Sequence, residues 1–248
     1  MTTSIWIVSS LVVGLAARPA AADTPPAAAD PRASAADAPG MAPLPRYLIA
    51  DRGAEIALAR SAAPPSISAN ATVMVLTPRG YEVAATGKNG FVCLVERSWQ
   101  GALDDPQFWN PKIRSPICFN PPAVRSVLPG ELKQVGFALM RLAQAEILAR
   151  MTAAVARKEL GPPEAGALSY MMSKDQYLND KDTHWHPHVM LYLPSTVDDQ
   201  AIGANLPGSP VLGGQPELPG GGRMPATVFF VPVGRWSDGS DAPGHAGH

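Results

Sequence analysis

Cysteine is scarce in this chain, with two residues in 248, and aromatic side chains make up only 6%. Cys93 and Cys118 are widely spaced and form no C-x-x-C, so neither a thioredoxin-like redox centre nor a compact metal pair is indicated. Basic clusters are missing as well: 20 Lys+Arg face 21 Asp+Glu, a formal charge of −1. Without a basic stretch interleaved with aromatics, nucleic acid has no electrostatic footprint to bind. Anionic membrane surfaces are disfavoured on the same ground. No apolar run reaches the roughly 20 residues that a spanning helix requires. H-E-x-x-H, the G-x-S-x-G nucleophile elbow, the Walker loop and the dinucleotide fingerprint are all absent. The chain therefore shows no complete catalytic template.

What is present begins with a processing pattern. Residues 5–17 (IWIVSSLVVGLAA) are apolar and uncharged, and Ala20, Ala21 and Ala22 follow at the spacing of a cleavage site. An apolar core followed by A-x-A reads as a signal peptide over residues 1–22, removed on export to the periplasm or beyond the cell. The pattern departs from the usual one in that no Lys or Arg precedes Ile5. Cleavage would remove Arg18, leaving 20 − 1 = 19 Lys+Arg against 21 Asp+Glu, a mature net charge near −2. In an oxidising compartment an even pair of cysteines in one domain is expected to bridge. The chain-entropy argument assigns a Cys93–Cys118 disulfide roughly 3 kcal/mol of stabilisation.

Residues 23–45 consist mainly of Ala, Pro and Asp and read as a disordered tether, because they offer almost nothing to bury. Residues 237–248 read as a flexible tail. The intervening 46–236 suit one domain. Within it, residues 46–60 are expected to be helical, stopped by Pro64-Pro65. Strands are expected over 71–76, 81–86 and 91–97, with Asn89-Gly90 suited to a tight hairpin between the last two. In the third strand Phe91, Cys93 and Val95 share one face and Val92 and Leu94 the other, the pattern of an interior strand. Residues 98–127 read as irregular. Residues 130–160 read as two helices breaking near Ala143 to Ala145, because the stripe of Leu132, Val135, Leu139 and Leu142 slips phase before Ile147. Strands at 168–172, 189–193 and 227–233 complete the set, with Pro232 marking an edge or an end. Strands, then helices, then strands imply an α+β fold: a mostly antiparallel sheet of about six strands with two or three helices on one face.

Candidate chemistry concentrates in three places. In the segment 180–188, Asp180, Asp182, His184, His186 and His188 occupy alternate positions, which an extended backbone turns to one edge. Imidazole and carboxylate are ordinary ligands for zinc or copper. Residues two apart start about 7 Å from each other, so one ion holds two of them and needs a bend for a third. The best set is His184, His186 and His188 with Asp182. His245 and His248 in the tail add two more imidazoles, and Met171-Met172 reads as core filler rather than copper ligands. Trp99 and Trp109, with Trp185, form a second candidate, an aromatic surface for glycan or peptide. The opposing expectation is that such rings tuck inward. Third, residues 203–225 form a long Gly/Pro-rich connection of the kind that acts as a lid or stays disordered.

At Asn89-Gly90-Phe91-Val92-Cys93-Leu94-Val95-Glu96-Arg97, and again at Ala204-Asn205-Leu206-Pro207-Gly208-Ser209-Pro210, the chain resembles a group of exported bacterial proteins of uncharacterised activity. The resemblance covers most of the domain and implies bacterial export. It carries no activity and no catalytic residues. The expected function is that of a non-catalytic exported binding or accessory domain. The rival is a metal-dependent, hydrolytic enzyme built on His184, His186 and His188. A third reading is cell-wall glycan or partner recognition through Trp99 and Trp109.

Overall fold

The computed structural model describes residues 40–181, 185–214, 217–218 and 222–242. The order of elements follows from the caps and breakers along the chain. Leu44–Arg46 forms a single 3-10 turn, and the first α-helix, α1, runs Arg52–Arg60. Its start lies later than the composition suggests because Asp51 caps it, accepting hydrogen bonds from Gly53 N at 2.7 Å and Ala54 N at 3.1 Å. A short α2, Pro65–Ser68, leads into strands β1 (Thr72–Thr77), β2 (Gly80–Ala85), β3 (Val92–Glu96) and β4 (Ser115–Phe119). Three helices follow: α3 (Pro121–Ser126), α4 (Leu128–Leu139) and α5 (Gln144–Ala156). Then come β5 (Leu168–Met171), β6 (His188–Pro194), β7 (Leu212–Gly214), β8 (Glu217–Leu218), β9 (Gly222–Arg223) and β10 (Ala226–Pro232). The helix break falls at residues 140–143, where Arg141 takes a left-handed φ of 59°.

The fold is α+β, and its main sheet has eight strands rather than six, in the order β2-β1-β3-β4-β5-β6-β10-β7. A separate two-stranded ribbon pairs β8 with β9. The main sheet is mostly antiparallel, with one parallel pair, β1 with β3. That pair corrects the expected hairpin at Asn89-Gly90. Lys88 N bonds to Asn70 O at 2.8 Å and Asn89 Nδ2 to Ile67 O at 2.7 Å, which carries the chain over the start of β1. Gly87 makes this crossing possible, since a Cβ there would lie 2.2 Å from the carbonyl carbon of Ala71.

Two elements were hidden in segments of turn-like composition. β4 carries Pro116, but β5 reaches β4 only at Cys118 and Phe119. Pro116 therefore lies where β4 is flanked on one side only, a position that tolerates a missing N–H. β7 lies inside the Gly/Pro-rich connection. Asn205 clamps it by exchanging two side-chain hydrogen bonds with Gly213, at 2.6 and 3.1 Å. β10 ends at Pro232 and lies between β6 and β7, so it is not an edge.

Alternation along β3 sends Cys93 and Val95 to one face and Val92, Leu94 and Glu96 to the other. The first face packs on Ala59 of α1 and Ala62 in the turn after it, and the second on Ala123 and Leu128 of α3 and α4. Helices thus cover both faces, which corrects the single-sided packing expected. Cys93 and Cys118 face each other directly across β3 and β4 and form the disulfide. Buried residues lie beyond both expected domain boundaries. Met41 is buried in the core near Tyr47, and Trp236 and Ser237 are buried at the other end. Among the described residues, no helix is long and apolar enough to cross a membrane.

Candidate binding cavity

Between the Leu94 face of the sheet and helices α4 and α5 lies a cavity of about 620 Å³. Its floor is formed by Ile117 of β4, Met190 and Tyr192 of β6, and Val228 and Phe230 of β10. Leu148 and Met151 of α5, with Leu160 beyond it, close the helical side, and Met224 approaches from the connection before β10. These side chains come to one place because i, i+2 residues of a strand share a face and i, i+3 residues of a helix share a stripe. Volume and apolar walls both fall within the range of small-molecule sites. Met151, Met171, Met190 and Met224 contribute to this wall, and their unbranched thioethers repack readily around a guest.

Of the four acidic residues that line this space, Glu96 and Glu131 stand on its sheet and helix walls, and Asp104 and Asp105 on the loop. Glu96, the last residue of β3, follows Leu94 on the cavity face, and Glu131 sits in the first turn of α4. Burial pushes the Glu131 carboxyl up to about 7. Glu96 is raised well above the ordinary carboxylate range, by burial first and by the Glu131 charge second. Both side chains keep a partial opening, as lining residues must. Deeper in the wall, Glu131 Oε2, Ser98 Oγ and Gln100 Nε2 are buried without a hydrogen-bond partner. Natural interiors leave few such groups unmet. A pair of this kind holds a proton near neutral pH and offers strong acceptors to a guest.

Burial of these carboxyls makes stability depend on pH in a definite sense. A carboxyl with a raised folded pKa binds more protons folded than unfolded between about pH 4.5 and pH 7, so stability falls as pH rises through that window and levels off above it. Glu131→Gln removes the ionisable group at nearly constant volume. Urea titrations at pH 5 and pH 8 are expected to show the variant more stable than the parent at pH 8 by about 2 kcal/mol, and little different at pH 5. An equal difference at both pH values would place Glu131 in water.

The cavity has an anchored roof. Gln134 of α4 donates to Trp99 O at 2.7 Å and Gly101 O at 3.2 Å, and Gln144 of α5 donates to Leu103 O at 3.0 Å. The loop between β3 and β4 is thereby strapped down, and it carries its aromatics inward. Trp99 and Phe108 are fully buried, and Trp99 stacks obliquely on Tyr47 with centroids 4.2 Å apart. Trp109 is half-buried, edge-on to Phe108 at 4.7 Å. An exposed Trp99–Trp109 recognition surface is therefore corrected to an interior cluster. Trp185 lies elsewhere, half-buried against His188 at 4.6 Å and Phe230 at 6.0 Å.

Of the described members of the histidine segment, Asp180 and His188 turn to different partners. His188 opens β6 and is buried, with Nδ1 2.8 Å from His186 O, and burial lowers its pKa to about 4. Its ring thus packs as a neutral core group. Asp180 turns to Lys112 at 3.2 Å, Asn110 at 3.0 Å and Tyr177 at 2.8 Å. Asp182, His184, His245 and His248 lie outside the described residues. Among the described residues no group of three or more His, Cys, Asp or Glu is placed to hold a metal ion. The zinc or copper reading thus gains no ligand set from the part of the segment that is described.

The pair that sequence reasoning missed, Glu96 and Glu131, left a signal in it. Glu96 continues the Val92–Leu94 alternation, and Glu131 stands one helical turn before Val135 on the apolar stripe of α4. A carboxylate on a buried stripe is unusual enough to mark a site. The chain matches no protein-family model, no curated protein and no solved structure.

Proposed function

We propose that this protein is an exported, non-catalytic binding domain that holds a small, largely apolar molecule in the cavity between its sheet and helices α4 and α5. The observation that carries the reading is the cavity itself: a half-open space of about 620 Å³ with a mainly apolar floor and an acidic rim. A concave, mainly apolar cleft of this size with a few convergent polar groups is the usual form of a small-molecule site. Export is supported by the leader-like residues 5–17 and by the Cys93–Cys118 disulfide, which persists where thiols oxidise.

Filling the cavity from its floor tests the reading. Val228 lines the void from β10, and Val228→Trp places an indole in it. A neutral polarity-sensitive dye such as Nile red is expected to bind the parent with enhanced fluorescence. The variant should bind it about ten-fold more weakly, a loss of about 1.4 kcal/mol. Leu178→Trp, from a different segment of the wall, provides the same test should Val228→Trp fail to fold. Unchanged dye binding in a folded Trp variant would place the dye outside the cavity and refute the assignment.

A further inference from the structure

We infer that the cavity selects an amphiphilic cation, an ammonium group on an apolar body, and that Glu96 and Glu131 receive its charge. This rests on the binding reading above and adds the chemical class of the ligand.

The first argument is the sign of the lining. Among the described residues that line the cavity, the acidic ones are Glu96, Glu131, Asp104 and Asp105, and Arg97 alone is basic. The Arg97 guanidinium is already committed. Its Nη2 lies 2.8 Å from Glu55 Oε1, its Nε donates to Tyr47 O at 2.6 Å, and its Nη1 donates to Val95 O. Arg97 is itself buried, so it cannot swing out to neutralise the cavity. With a proton shared between Glu96 and Glu131, an anionic guest would still meet one uncompensated carboxylate in a low-dielectric space. A cationic guest meets a complementary charge, and apolar walls focus that field.

The second argument is the state of the polar groups. Ser98 and Gln100 line the cavity with exposures of only 5% and 7%, and Ser98 Oγ and Gln100 Nε2 lack partners, as does Glu131 Oε2. A primary ammonium brings three N–H donors and no acceptor. Glu131 Oε2 and Ser98 Oγ are acceptors of the kind it requires, whereas Gln100 Nε2 is a donor and is left to a carboxylate oxygen or to a polar atom on the body of the guest. A bound cation also offsets what burial costs the two ionised carboxyls, since an opposite charge nearby favours the charged form. The apolar floor of Met190, Val228 and Phe230 then takes the body of the molecule. Among the described residues a hydrophobic acid finds no free cation there, and a hydrophobic alcohol satisfies the carboxyl pair only in part.

Three ten-carbon ligands that differ in head group test this on the full chain. Decylamine, decan-1-ol and decanoate are titrated against bound Nile red at pH 7.5, below their micelle concentrations. Decylamine is protonated at that pH, as a lysine amine is. It should displace the dye at a concentration about ten-fold below that of decan-1-ol, with decanoate weakest. In Glu131→Gln the amine-over-alcohol ratio should collapse towards one, and in Glu131→Asp, which keeps the charge, a preference should survive. Glu96→Gln gives the same reading should Glu131→Gln fail to fold. Equal displacement by all three, or strongest displacement by decanoate, overturns the cation assignment while leaving the cavity as a binding site. An amine preference that both Gln variants retain also overturns it. Displacement by none of them overturns the binding reading as well.

Discussion

Replacing Glu55 with Gln is expected to destabilise the fold by about 3–5 kcal/mol, because it strands a buried guanidinium. Both side chains are almost wholly removed from water: Arg97 is 0% exposed and Glu55 1%, with 2.8 Å between Nη2 and Oε1. The pair does more than neutralise itself. Glu55 Oε1 also accepts Leu76 N at 3.1 Å, which fixes α1 against β1. Arg97 reaches Tyr47 O on the segment before α1 and Val95 O on β3. One ion pair therefore joins the amino-terminal segment, the first helix and two strands, directly behind the strand end that carries Glu96. A buried charge without its partner has neither water nor counter-ion, so the loss matches that of a large aromatic truncation in the core. Replacing both partners, as in Glu55→Leu with Arg97→Met, should cost less than the two single changes added together. Urea denaturation of the four proteins measures it. Additivity within about 0.5 kcal/mol would show that the charges do not act on each other.

Loss of the disulfide is the second large effect. The half-cystines are separated by 25 positions, and cross-linking a loop of that length removes about 3.5 kcal/mol of chain entropy from the unfolded state. Cys93→Ala with Cys118→Ala should lower stability by that amount, and the melting temperature by about 10 °C at 2–4 °C per kcal/mol. Because Cys93 and Cys118 are directly opposed in adjacent strands, the native register survives without the bond. The variant should accordingly fold to the same sheet and unfold more readily. Reduction of the parent under native conditions should be slow, since both sulfurs are fully buried. Free thiols in folded, unreduced protein would contradict the assignment.

The sequence was most informative where one residue type did one job. Two cysteines could pair only with each other, and Asn-, Pro- and Gly-marked boundaries located most strands to within a residue or two. It was least informative where turn-forming residues served inside regular structure. Pro116 disguised β4 because the neighbouring strand is too short to demand its N–H. Gly213 disguised β7, although a Cβ there would lie 2.4 Å from the Phe229 ring, so the strand can pair with β10 only because the side chain is missing. The hairpin signal at Asn89-Gly90 was overridden by a side-chain bond from Asn89 to Ile67 O and backbone bonds from Lys88 and Asn89 to Asn70 O. At the site, histidines drew the eye because imidazole suggests metal, while the carboxyls that enter the cavity sat within apolar stripes and looked like strand-end and helix-start residues. Their significance depends on helices α4 and α5 leaving space over the sheet, which no local pattern encodes.

The central claim is that the space above Met190 and Val228 is a site for an apolar guest, and methyl-labelled methionines report on it directly. Met151, Met171, Met190 and Met224 line the cavity, while Met140 is exposed and Met172 is buried elsewhere. In a methyl NMR titration with decan-1-ol, the four lining methionines should shift together and saturate, while Met140 and Met172 stay in place. Shifts confined to Met140, or no shift at saturating alcohol, would show that the cavity admits nothing.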